Sequence, residues 1–84
     1  MKVGEKKAIT VTDKITGEVK DHITFEVHES RAFDYGNRTG VSVESETGFV
    51  LNRYYDTRYY TGTFEQFVSQ IINERYNTDR YDFN

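Results

Sequence analysis

The chain contains no cysteine, no proline and no tryptophan, and only two histidines. Without cysteine there is no disulfide framework, no thiol nucleophile and no thiolate to hold a metal. Without proline, the turns have to be made by glycine and by short polar side chains that bond their own backbone. No apolar run approaches the ~18 residues of a membrane-spanning helix. The first seven residues, Met1 to Lys7, are charged where a secretion signal would be apolar. These absences lead to the expectation of a protein that works in the cytoplasm.

What is present fits a single domain over residues 1–84, with 1–5 and 78–84 as flexible ends. A domain this short buries only about 60% of the surface its unfolded chain exposes, so its stability is expected to be on the order of a few kcal/mol. Seven Tyr and six Phe supply large buried area per residue. Seven Tyr exceed what so small a core holds, which places several at the surface, where they favour contact with partners. The net charge of −3 argues against a general polyanion binder. Every Lys lies in the first 20 residues and every Arg from Arg31 onward. Arg suits bidentate and stacked contacts better than Lys does, so a working surface is expected in the later part of the chain.

Ile9-Thr10-Val11-Thr12 alternates apolar and polar residues. Val19, Ile23, Phe25 and Val27 then hold odd positions, with Lys20, His22, Thr24, Glu26 and His28 between them. Period-two patterning of this kind predicts two half-buried strands. Asp13-Lys14-Ile15-Thr16-Gly17 joins them as a hairpin turn: Asp can accept from N–H groups two and three residues on, and Gly takes the left-handed conformation without a clash. A bulge at Gly17 puts Ile9 opposite Ile23. Glu44-Ser45-Glu46-Thr47-Gly48 repeats that pattern between Val41-Ser42-Val43 and Phe49-Val50-Leu51. The same register would place Val43 opposite Leu51, with Phe49 and Leu51 inward and Val50 on the other side. Residues 30–33 would extend the second strand, and 34–37 would turn the chain into the third.

Thr63-Phe64-Glu65-Gln66 is a capping box, and Phe64, Phe67, Val68, Ile71, Ile72 and Tyr76 follow at helical spacing. The predicted helix covers about 64–76 and must lie on the sheet, because a helix this short is marginal alone. The tail has no period, although Tyr81 and Phe83 suggest that part of it packs down. The predicted fold is therefore α+β: a four-stranded antiparallel β-meander with one C-terminal α-helix packed on a face, ββββα. Its expected core is Phe25, Val27, Val43, Leu51, Phe64, Val68, Ile71 and Ile72.

Candidate chemistry is sparse. His22 and His28 share a strand face but stand about 20 Å apart at ~3.3 Å per residue, too far to share a metal ion. Glu26 is near enough to His28 for an ion pair. No Ser lies in a strand–turn–helix elbow, and the six Gly residues are scattered among turns rather than gathered into a phosphate loop. No metal, cofactor or catalytic residue is called for, and the chain reads as non-enzymatic.

The segment from Asn52 to Tyr60 stands out, with two Arg, four Tyr and one Asp between the fourth strand and the helix. Arg53, Tyr54, Tyr55, Arg58, Tyr59 and Tyr60 are the candidate contact set for a protein partner, since Tyr and Arg dominate interface hot spots. Strand alternation should send some of them to the core. The alternative is a weak single-stranded nucleic-acid surface made of the same residues, bases stacking on rings and guanidinium meeting phosphate. An open sheet edge would allow either a monomer or a homodimer by strand pairing.

This Arg/Tyr stretch, the short length and the Tyr/Asn/Asp-rich C-terminus resemble the small accessory proteins of bacteriophages and mobile elements. The resemblance covers about the last 35 residues and implies a binder acting in a bacterial cytoplasm, for example an inhibitor of a host defence or nucleic-acid-processing protein. It carries no functional residues with it.

Overall fold

The computed structural model describes residues 1–30, 38–50, 52–57 and 60–84. Among these residues, five strands and one helix follow in the order β1 (Lys6–Asp13), β2 (Val19–Ser30), β3 (Arg38–Ser45), β4 (Arg53–Asp56), α1 (Phe64–Arg75) and β5 (Tyr81–Phe83). All strand pairs are antiparallel and the sheet order is β4-β3-β2-β1-β5. The meander is thus present, but the sheet has one strand more than the four expected. β5 returns to pair with β1, with Val11 opposite Phe83 and Asp13 opposite Tyr81. Asn84 and Thr10 exchange both backbone bonds, at 2.8 and 3.1 Å. The expected extension of β2 through 31–33 and the turn at 34–37 lie outside the described residues.

The first hairpin forms for the reasons its sequence suggests. The Asp13 carboxylate accepts from the N–H groups of Ile15 (2.8 Å) and Thr16 (3.2 Å), and Gly17 has φ 72°. Ile9 stands opposite Ile23. The register shifts between Val11 and Thr12, which pair with Asp21 and Val19, so that Lys20 is the extra residue of a bulge. The shift explains why Val19 is exposed while Asp21 is buried.

The second hairpin departs from expectation. β4 begins only at Arg53, which lies opposite Val43, the position that had been expected to face Leu51. Leu51 itself is outside the described residues. Val50 is fully buried and Phe49 is 61% exposed, the reverse of the expected order. The physical reason is a competing acceptor. Asp13 bonds the N–H groups of its own turn, but the equivalent Glu44 is exposed and Thr47 instead bonds Asp21 of β2, by its N–H (3.2 Å) and its hydroxyl (2.9 Å). Gly48 keeps its left-handed φ of 73°, yet the loop it turns is longer than that of a tight hairpin.

The helix starts as its capping box dictates. The Thr63 hydroxyl accepts from the Gln66 N–H, and the Gln66 side chain accepts from the Thr63 N–H. Phe64, Phe67, Val68, Ile71 and Ile72 are buried against one sheet face, joining Ile9, Val11, Ile23, Phe25, Val27, Val41, Val43 and Val50 in a single core. Phe67 meets Phe25 edge to face at 6.4 Å between ring centres. The helix ends at Arg75, one residue short of expectation. No helix among the described residues is long and apolar enough to cross a membrane.

Candidate functional site

Alternation along β4 divides the Arg/Tyr segment between the two sides of the sheet. Arg53 and Tyr55 sit opposite the inward residues Val43 and Val41, while Tyr54 and Asp56 sit opposite Ser42 and Gly40 on the open side. Tyr55 is half-buried, with its ring 5.3 Å from Phe67 and 6.0 Å from Tyr60. Tyr60 in turn stands edge-on to Phe67 at 4.9 Å. These two tyrosines close the end of the core, and burial pushes the Tyr60 phenol above its ordinary pKa. Arg53 and Tyr54 remain exposed. Arg58 and Tyr59, the other two residues of the candidate contact set, lie outside the described residues.

Tyr54 is positioned by a glycine on the neighbouring strand. Its ring lies over Gly40, where a Cβ would come within 2.0 Å of the ring. The ring thereby covers a sheet position that has no side chain of its own, an arrangement that also restores cross-strand contact. His28 is 6.4 Å away, ring to ring, and accepts from or donates to the Ser42 hydroxyl at 2.8 Å. Glu26 stands 3.6 Å from the same imidazole, within reach of the contact the strand pattern allows. His22 faces Glu46 at 3.8 Å and Thr10 at 3.3 Å. Among the described residues no group of three His, Asp or Glu side chains could hold a metal ion.

A second cluster was not anticipated from the sequence. Asp21 is 2% exposed and accepts from the hydroxyls of Ser45, Thr47 and Tyr76, the last at 2.8 Å. It also accepts from the N–H groups of Thr47 (3.2 Å) and His22 (2.8 Å). Burial alone would raise the Asp21 pKa, but the Ser45, Tyr76 and Thr47 donors outweigh it and hold the carboxyl below its ordinary value. Burial and the carboxylate together push the Tyr76 phenol far up, so it stays a donor. The cluster joins β2, the end of β3, the loop after it and the residue that caps the helix. The signal that could have found it is Asp21 itself, an acid at an odd position among the inward apolar residues of β2.

Asp13 makes a smaller anchor of the same kind. Its 1% exposed carboxylate accepts from Arg80 at 3.4 Å through both Nε and Nη2, tying the segment before β5 to the first turn. The Ile15 N–H is the main cause that holds its pKa down.

Compared with known proteins, the chain matches no family model, no curated protein and no solved structure.

Proposed function

We propose that the protein is a non-enzymatic binding module that acts by occupying a surface of a protein partner, with Tyr54 of β4 at the centre of the contact and Arg53, exposed on the other side of the same edge strand, at its margin. The host-directed inhibitor role implied by the accessory-protein resemblance is the form of this activity that we favour. The observation that carries the reading is Tyr54. It is a 40% exposed aromatic ring, seated on Gly40, on the outermost strand of the sheet. A rigid ring of this kind offers contact area at little entropic cost, and an edge strand offers backbone groups to an added strand.

The charge around the ring favours a protein over a nucleic acid. Glu26 and Glu44 occupy open-side positions on β2 and β3, and Tyr55 and Tyr60 are turned into the core. A single-stranded nucleic-acid platform needs several free rings beside cations, and carboxylates repel its phosphates. Binding to random single-stranded DNA or RNA at physiological salt is therefore expected to be weaker than roughly 100 µM. Affinity capture from the bacterial host, with mass spectrometry of what is retained, tests the main reading. A partner held by the parent protein and lost with Arg53→Ala and Tyr54→Ala supports it. Micromolar nucleic-acid binding that falls steeply with salt and disappears in Arg53→Ala would replace it with the alternative.

A further inference from the structure

A cleft of about 620 Å³ opens where the loop after β3, the end of the helix and the bulge of β2 converge. The size is that of a small-molecule site, which typically spans about 300–1,000 Å³. Its walls are three aromatic rings. Phe49 stands 5.0 Å from Tyr76, and Tyr76 meets Tyr81 edge to face at 5.3 Å. The middle ring is held from beneath, because the Tyr76 hydroxyl donates to the buried Asp21. Gly48, at φ 73°, turns the chain next to Phe49.

Two features of this cleft bear on what it could hold. Phe49 is exposed, whereas Phe25, Phe64 and Phe67 are buried. A large ring left at the surface costs hydrophobic stabilisation that burial would have supplied. The second feature is charge. The protein is acidic overall, with a net charge of −3, yet among the described residues the cleft is lined by Lys20 and Arg75 and by no carboxylate. Lys20 is bonded to Glu18 at 3.0 Å, but Glu18 is not part of the lining. Arg75 is exposed and has no hydrogen-bond or ion-pair partner among the described residues.

We propose that this cleft binds a small planar aromatic molecule carrying one anionic group. The ring of the ligand would lie against Phe49 and Tyr76, whose faces and edges suit stacked and edge-on contact. The anionic group, a carboxylate or a phosphate, would meet Lys20 and Arg75, and charge-assisted bonds of that kind are about twice as strong as neutral ones. The site is separate from the β4 surface and does not depend on that reading.

Paired probes of the same shape and opposite charge test the proposal: 2-naphthoate and 2-naphthylmethylammonium, titrated into the ¹⁵N-labelled full chain. Naphthoate is expected to give saturable amide shifts centred on Thr47, Gly48, Phe49 and Asn77. The ammonium probe is expected to bind about tenfold more weakly or worse, a difference of roughly 1.4 kcal/mol. Lys20→Gln and Arg75→Gln alter exposed side chains, so both variants should keep the parent melting temperature. Each should weaken naphthoate several-fold and leave the ammonium probe unchanged. Equal affinity for the two probes would make the cleft a non-specific apolar surface and overturn the proposal. So would shifts centred elsewhere, or naphthoate binding unaffected in both variants. Shifts of the same amides with protein concentration alone would assign the cleft to a second copy of the chain and also overturn it.

Discussion

Asp21→Ala is expected to remove a large share of this protein's stability, although it deletes no apolar contact. The carboxylate is 2% exposed and receives three hydroxyls and two backbone N–H groups. A hydrogen bond to a charged group contributes about 1.5–3 kcal/mol, but five do not add, because some donors would find water after truncation. Removing one partner of a buried charged arrangement costs about 3–5 kcal/mol, and we take that range here. A domain of this length has roughly 4–12 kcal/mol in total. Urea unfolding followed by far-ultraviolet circular dichroism is expected to show a midpoint far below that of the parent protein. Asp21→Asn keeps the shape and one acceptor and should lose less, about 1–3 kcal/mol. Tyr76→Phe, combined with Asp21→Asn, should show a coupling of at least about 0.5 kcal/mol in a double-mutant cycle. An Asp21→Ala protein within about 0.5 kcal/mol of the parent would refute the argument, since that is the range of ordinary surface changes. The acid limb supplies an independent check. The folded pKa of Asp21 is depressed from the ordinary 3.8, so its contribution is present above that value and is lost as pH falls through the folded one. Asp13 is depressed in the same direction, so Asp21→Asn should flatten the acid limb of the stability profile without abolishing it.

Phe67→Ala should cost about 3–5 kcal/mol, because its ring meets Phe25, Tyr55 and Tyr60, and Ile71→Ala about 2–5 kcal/mol; a parent-like melting temperature in either would contradict the packing of helix on sheet. Gly40→Ala should expel the Tyr54 ring at a cost of about 1–3 kcal/mol, and Tyr54→Ala in the same chain should relieve most of that penalty; additive losses would mean the ring does not lie over the glycine. The raised phenols of Tyr76 and Tyr60 make contributions that are complete below the ordinary tyrosine value of 10.0 and are lost as pH rises through the folded values. Near-ultraviolet titration should therefore show late-ionising tyrosines, and their number should fall by one in Tyr76→Phe. His22→Gln and His28→Gln should each leave stability within about 0.5 kcal/mol, as checked by urea unfolding.

The elements governed by local rules were legible in the sequence. The capping box at Thr63 placed the start of the helix, and its 3.6-residue period named the buried face. Asp13 and Gly17 set the first hairpin and, through it, the pairing of Ile9 with Ile23. In each case the groups that satisfy one another lie within four residues along the chain or alternate along one strand, so the motif forms without a distant partner. The second turn has nearly the same local sequence and took a different course, because Asp21, 26 residues away, captured Thr47. That contact decided which of Phe49 and Val50 entered the core and where β4 began. β5 was equally hidden: three residues are too few to show a period, and their pairing depends on β1 having a free edge. The Arg/Tyr segment could be seen to be unusual, but its division between Tyr54 outside and Tyr55 inside required the register of β3. The cleft could not be seen at all, since Lys20, Phe49, Arg75 and Tyr81 lie far apart in sequence and meet only through the fold. Sequence determined what each segment could become alone; tertiary structure decided every outcome in which a buried charge or a free edge chose among partners.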